Sequence, residues 1–169
     1  MIFVTVGTTK YQFPRLLESI DHALTDTSNT ESLIVQSGAT NYHFQYPHTH
    51  QLSEVSFPKL LTLLQTCRLA IIHGGASTIF QALKYSSSLP LVVPRQPKFH
   101  EHLNDHQLIF ARHLSRKYHF PINLDPDKLS HQIQLLLTSP TPNPHHHQLH
   151  CSPRLITRLN QFISHLTSN

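Results

Sequence analysis

His73-Gly74-Gly75-Ala76-Ser77-Thr78 is the stretch of this chain best suited to chemistry. The apolar run Leu69 to Ile72 leads into it and a helical pattern follows, so it spans a strand-to-helix junction. Two of the chain's four glycines stand side by side there. Backbone without side chains lets a ligand approach closely, and a helix start offers unpaired N–H groups and a positive dipole end. The chemistry this suits is phosphate binding, although a plain tight turn uses the same residues. Two further polar clusters follow strand-like runs. Gly7-Thr8-Thr9 comes after Ile2 to Val6, and Asn104-Asp105-His106-Gln107 comes after Leu91 to Val93, Pro94 and Arg95. In an open α/β sheet, ligands bind at the carboxyl ends of the strands, which is where all three clusters fall.

Other chemistries fit less well. His100, His102 and His106 beside Glu101 suggest a metal, but the zinc helix motif HExxH needs a histidine where Asn104 stands. The spacing also straddles a loop and a helix start, and in a chain with 16 histidines clustering is cheap. No metal and no cofactor are expected. The first loop lacks the second and third glycines of GxGxxG, which argues against a nicotinamide site, and no GxSxG hydrolase elbow occurs.

The elements that must hold these clusters alternate between strand and helix. Phe13, Leu16, Leu17 and Ile20 predict a helix with Pro14 in its first turn. Ser28 to Thr30 reads as a loop, and Ser32 to Gln36 is a strand closed by Gly38. Thr40 to His50 has no clear period, and Gln51 to Val55 is a candidate short strand. Ser56 as N-cap and Pro58 open a helix whose Phe57, Leu60, Leu61, Leu64 and Cys67 face the core. The continuous run through Ile72 indicates a strand covered on both faces, hence a parallel sheet. A helix from Ala76 to Tyr85 buries Ile79, Phe80 and Leu83, and Leu91 to Val93 is another buried strand. After the loop Arg95 to Leu103, Asn104 or Asp105 caps a helix to about Leu114 that turns Leu108, Ala111 and Leu114 inward. Tyr118 to Ile122 is a last candidate strand, and Asp125-Pro126 starts a helix to about Leu137. The organisation expected is one domain over 1–138, a Pro/His-rich linker over 139–150 containing His145 to His147, and an amphipathic helix over 151–169. The fold class is α/β, a single doubly wound, mostly parallel, Rossmann-like domain.

With 169 residues the chain suits one domain and is too short for two nucleotide-binding halves. Its formal charge of +4 suits anionic ligands or an anionic membrane surface. There is no Lys/Arg run with interleaved aromatics, so nucleic acid is not expected as a partner. Cys67 and Cys151 form no CxxC pair and permit a reducing compartment. No basic n-region precedes Ile2 to Val6, and no apolar stretch reaches the roughly 20 residues of a membrane helix. A cytoplasmic protein, held at the membrane only through a surface or a partner, is the expectation.

Val4-Thr5-Val6-Gly7-Thr8-Thr9, His73 to Thr78, and Val93 to Gln96 with Glu101 to Gln107 together resemble the glycosyltransferase family 28 C-terminal domain over roughly residues 1–120. The chain is most similar to stand-alone members, the catalytic-half subunits of two-component glycosyltransferases in bacterial exopolysaccharide and capsule synthesis. Their eukaryotic counterpart transfers the second N-acetylglucosamine of the dolichol-linked oligosaccharide. The resemblance implies the C-terminal half of a GT-B fold and an inverting transfer of a hexose or N-acetylhexosamine from a UDP-sugar. It implies a membrane-associated partner subunit that binds the lipid-linked saccharide acceptor and supplies the general base, with this chain peripheral at the cytosolic membrane face. Carried over by position, His73, Gly74, Gly75 and the N–H groups of Ala76, Ser77 and Thr78 hold the diphosphate, with His73 stabilising the leaving group. Gln81 stands where relatives place a ribose-binding Glu, a departure that removes the charge. Pro94 and Arg95 end the uracil-side strand, Asn104, Asp105, His106 and Gln107 contact the donor sugar, and Gly7, Thr8 and Thr9 face the interdomain cleft. The rival reading is a non-catalytic nucleotide-sugar-binding or scaffold subunit that activates its partner.

Overall fold

The computed structural model describes residues 1–27 and 29–139. Ser28, the linker from residue 140 onward, the expected C-terminal helix and Cys151 lie outside the described residues. Five strands form one sheet in the order β3-β2-β1-β4-β5: β1 (Ile2–Thr5), β2 (Leu33–Gln36), β3 (Thr49–Leu52), β4 (Leu69–His73) and β5 (Leu91–Val93). Every pairing between these strands is parallel. Five α-helices accompany them, α1 (Pro14–Thr25), α2 (Phe57–Thr66), α3 (Ala76–Tyr85), α4 (His106–Tyr118) and α5 (Pro126–Thr138); β2 runs to β3 without a helix between them, and α4 and α5 follow β5 in succession.

The sheet is covered on both faces, which explains the unbroken apolar runs of β1, β4 and β5. Leu16, Leu17 and Ile20 of α1 and Leu129 and Ile133 of α5 pack with Val4, Val35 and Ile71 on one side. Leu64, Ile79 and Ala111, from α2, α3 and α4, pack with Phe3, Ala70 and Ile72 on the other. The chain builds β1, β2 and β3 outward in one direction, then crosses back to lay β4 on the opposite side of β1. The order therefore reverses between β1 and β4, and the crevice beyond their carboxyl ends is the natural ligand position.

Some boundaries differ from expectation for local reasons. β3 begins at Thr49 rather than Gln51, because it is a polar edge strand (Thr49-His50-Gln51-Leu52) placed by pairing with β2, not by its own periodicity. The candidate strand Tyr118 to Ile122 shrinks to a single parallel bridge between Val92 and Ile122. Helix α4 continues to Tyr118, and Pro121 has no N–H to extend a ladder. Ser56 and Asp105 occupy N-cap positions, but neither side chain caps its helix, whereas the Asp125 carboxylate accepts from the Asp127 N–H at 3.2 Å. Phe57 does not face the core: it is 57% exposed, at the end of α2 that projects past the sheet. Leu60, Leu61, Phe80 and Leu108 are only half-buried.

Candidate functional site

A cavity of about 320 Å³ opens at the β1/β4 crevice. Its floor is Thr5, Gly7 and His73, the start of α3 supplies Ser77, Thr78 and Gln81, and the far wall is Gln36, Val55, Phe57 and Leu60, with Thr8 also lining it. No Lys, Arg, Asp or Glu stands among these residues. Attraction for an anion must come from backbone and field.

That backbone is supplied by α3. Its first intrahelical bond runs from the Ile79 N–H to the Gly75 carbonyl at 3.0 Å, and no side chain caps the helix. The N–H groups of Ala76, Ser77 and Thr78 are the first-turn donors that lack helical acceptors, and they gather at the positive dipole end. Within α3, Gln81 Nε2 donates to Ser77 Oγ at 2.9 Å, while Gln81 Oε1 is enclosed without a donor. An enclosed acceptor without a partner costs stability.

His73 ends β4 and is 8% exposed. Its Nδ1 lies 3.4 Å from the Thr5 carbonyl oxygen, which only accepts, so this contact favours the tautomer with the proton on Nδ1. Burial, then the Arg95 guanidinium, holds the imidazole down to about 4, so the ring is neutral at pH 7 and Nε2 is a bare acceptor. To donate to a phosphate oxygen, the ring must take up a second proton or release Thr5.

The glycines are explained mainly by the protein's own packing. A Cβ on Gly75 would meet His73 Nε2 at 2.4 Å, and one on Gly7 would meet the same ring at 2.7 Å. Gly7 also holds φ +80, a left-handed conformation that glycine adopts without strain. A Cβ on Gly74 would lie 2.8 Å from Pro94 Cβ and 3.1 Å from Gln107 Cβ. Packing against His73 and Pro94 accounts for the absence of side chains at Gly74 and Gly75 by itself.

The segment after β5 is organised around buried charge. Arg95 is fully buried. Its guanidinium donates to the carbonyls of Val6 (2.8 Å), Tyr11 (2.9 Å), Gln12 (3.0 Å) and Glu101 (3.2 Å). It also lies 4.7 Å from the Phe13 ring centre. Burial lowers it to about 10, and the nearby Glu101 carboxylate opposes that shift. Its tip points into the protein, so Arg95 braces the loop after β1 and does not line the cavity. Glu101, 2% exposed, accepts from Arg15 Nε and a terminal nitrogen at 2.8 Å each and from the Gln96 N–H at 2.9 Å. The first and third loops are thus tied by Arg15, Arg95 and Glu101, a network that sequence reading missed.

The Asn104–Gln107 cluster stands behind Gly74 and does not line the cavity. Gln107 is buried, and its Oε1 accepts from the Arg95 N–H at 3.4 Å. His106 is exposed, bonded to Asn104 Oδ1 and edge-on to His102 at 4.6 Å between ring centres. Asn104 and Asp105 are exposed. Thr8 lines the cavity and Thr9 does not. Gln36, Val55, Phe57 and Leu60 line the cavity without having been singled out, and the available signal was Phe57 beside Pro58 at a helix start. Among the described residues, no cluster of three or more His, Cys, Asp or Glu could hold a metal. Among them too, no helix is long and apolar enough to cross a membrane.

Comparison with known proteins follows this geometry. The model of the glycosyltransferase family 28 C-terminal domain matches residues 1–159. A sequence search of curated proteins finds no match. Among solved structures, the glycotransferase of kitacinnamycin is similar, with TM-score 0.58 and 16% identity, over 99% of this chain and 39% of that one. The glycosyltransferase VinC in complex with DTDP is similar with TM-score 0.50 and 20% identity, over 83% of this chain and 34% of that one. The chain therefore spans well under half the length of both, and at these identities the likeness is one of fold.

Proposed function

The chain belongs to the glycosyltransferase family 28 C-terminal domain family, and from that premise we propose that its β1/β4 crevice seats the nucleotide of a UDP-sugar for inverting transfer. The observation that carries this reading is the uncapped start of α3, whose first-turn residues Ser77 and Thr78 line a cavity without charged side chains. The N–H groups of Ala76, Ser77 and Thr78 receive the diphosphate, and a ribose hydroxyl meets the Gln81 amide once that side chain turns toward the cavity. The base lies toward Phe57 and Gln36. The sugar extends past Gly74 toward Asn104 and His106. In transfer, an acceptor hydroxyl attacks the anomeric carbon, the bond to the β-phosphate oxygen breaks, and UDP leaves with the electron pair. The helix dipole and its backbone donors stabilise the charge that develops on that oxygen.

The acceptor's proton needs a base that this cavity does not provide. No carboxylate lines it, and a histidine held near 4 is a weak base at neutral pH. The base and the lipid-linked saccharide acceptor then belong to a membrane-associated second half on another chain. His73 serves this site chiefly as a wedge that sets the Gly7 and Gly75 loops.

Calorimetric titration with UDP, UDP-glucose, UDP-N-acetylglucosamine and dTDP tests the reading, dTDP being included because VinC was solved with it. Micromolar to millimolar binding of at least one UDP compound is expected. Gln81→Leu should weaken it by about 2- to 12-fold, the worth of one neutral hydrogen bond, and Gln81→Glu should tighten it. Ser77→Asp should keep the helix start stable yet repel the diphosphate. Absence of binding by every nucleotide would overturn the donor site. Binding that Ser77→Asp abolishes, with transfer by the two-chain complex unaffected, would favour the scaffold reading.

A further inference from the structure

The three helices on one face of the sheet carry a one-sided charge. Helices α2, α3 and α4 contain five Lys or Arg and not one Asp or Glu. All five, Lys59, Lys84, Arg112, Arg116 and Lys117, are exposed. No ion pair among the described residues engages any of them. The opposite layer is different. In α1 and α5, Arg15 and Lys128 are tied to Glu101 and Asp125, and Glu18, Asp26 and Asp127 face solvent around them. Among the described helices the charge is therefore separated across the sheet rather than mixed, with the exposed N-cap Asp105 of α4 the acidic group that borders the basic side.

Helix α4 shows what the basic side is shaped for. Ala111 and Leu114 are buried, and the stripe Ile109, Arg112, His113 and Arg116 is exposed at three- and four-residue spacing. Ile109 is 65% exposed, and Leu103, just before the helix, is 76% exposed. Lone large apolar side chains next to long cationic ones match the layered chemistry of a lipid headgroup region. Of the two described cavities, the one at the β1/β4 crevice takes Phe57 and Leu60 from α2 and Ser77, Thr78 and Gln81 from α3, and neither is lined by α4. A broad cationic field on α4 with exposed apolar side chains beside it suits a flat anionic surface.

We propose that the outer face of the α2–α4 layer, centred on α4, docks directly onto an anionic lipid bilayer, with Ile109 and Leu103 reaching into the headgroups. This goes beyond a peripheral position held only through a partner subunit. It stands independently of the donor-site reading, because lipid binding needs no nucleotide. Seated this way, the chain lays α4 against the bilayer while the crevice at the strand ends opens beside the surface.

Vesicle flotation of the full chain tests it, with phosphatidylcholine alone and with about a third phosphatidylglycerol. The expected result is association with the anionic vesicles only, falling as salt screens the charges. Arg112→Gln/Arg116→Gln/Lys117→Gln should lower partitioning by at least about tenfold, since each basic side chain near such a surface contributes to binding. Lys10→Gln/Lys98→Gln/Lys128→Gln, which removes as many charges elsewhere, should stay within about twofold of the wild type. Ile109→Ser should weaken association at fixed charge. An unchanged thermal unfolding midpoint for the α4 triple variant shows that its fold is intact. Equal losses in both triple variants, equal binding to neutral vesicles, or no vesicle binding by the wild type would each overturn the proposal.

Discussion

Gly75→Ala should destabilise the protein through His73 and not through any ligand. The backbone at Gly75 has φ −69 and ψ 129, which alanine adopts without strain. The added methyl, however, would sit 2.4 Å from His73 Nε2, well inside contact distance. The ring cannot swing clear easily, because Nδ1 faces the Thr5 carbonyl and Gly7 closes the other side. Overpacking of this kind costs about 1–3 kcal/mol. Lower unfolded-chain entropy returns about 0.4–1 kcal/mol. A net loss of about 1–2 kcal/mol corresponds to a fall in Tm of about 2–8 °C in a domain of this size. The assay is a double-mutant cycle by thermal and urea unfolding of wild type, Gly75→Ala, His73→Ala and the double variant. Once His73 is alanine, the clash partner is gone, and Gly75→Ala should become neutral or slightly stabilising. The coupling should be about 1–2 kcal/mol, as expected of residues in contact. If Gly75→Ala costs the same in both backgrounds, or is silent in both while nucleotide affinity collapses, the packing explanation is wrong and the glycine is kept for the ligand.

Two other outcomes follow from buried charge. The imidazole of His73 has an ordinary value of 6.5 that folding lowers to about 4, so the unfolded chain binds its proton first as pH falls. Its contribution is therefore present above pH 6.5 and lost between pH 6.5 and 4, to a total of roughly 3 kcal/mol. Urea unfolding as a function of pH should show this slope, and His73→Asn should remove it; a slope unaltered in the variant would refute the assignment. Glu101→Ala should cost about 2–4 kcal/mol, because it removes the carboxylate that accepts two bonds from the Arg15 guanidinium and one from the Gln96 N–H. Pairing it with Arg15→Met should recover part of the loss in unfolding experiments, and strictly additive losses would show that the two side chains do not act as a pair.

Much of the fold was legible because the strands are buried on both faces. Runs such as Leu69-Ala70-Ile71-Ile72 cannot be read as amphipathic helix, and the alternation of elements then leaves a doubly wound parallel sheet. Edge strand β3 was not legible, since Thr49-His50-Gln51-Leu52 has no period and owes its place to β2. The start of α3 beside the β1/β4 crevice could be read from order alone. Residue roles within the site could not. Arg95 in sequence is a cation after a strand, and only three-dimensional packing shows its guanidinium turned inward onto four carbonyls. Gln107 looks like a ligand contact, yet it lies under Gly74 as part of the loop's own packing. Polar residues near strand ends serve ligands or loops, and composition does not separate the two.

That distinction bears on how the motif from Pro94 to Gln107 works. Its fixed part is internal: Arg95 holds the loop after β1, Glu101 holds Arg15 and the Gln96 N–H, and Gln107 holds the Arg95 N–H. The exposed part is short, namely Asn104, Asp105 and His106, with His106 Nδ1 already engaged by Asn104. Buried charges of this kind are expensive unless fully paired, so the network tolerates little displacement of either loop. A rigid frame around Gly74 fixes where α3 begins, and with it the direction of the three N–H groups at Ala76, Ser77 and Thr78. In the donor site we propose, most residues of the motif then serve by holding the helix start in place, and the few exposed side chains beyond Gly74 are left to meet the sugar.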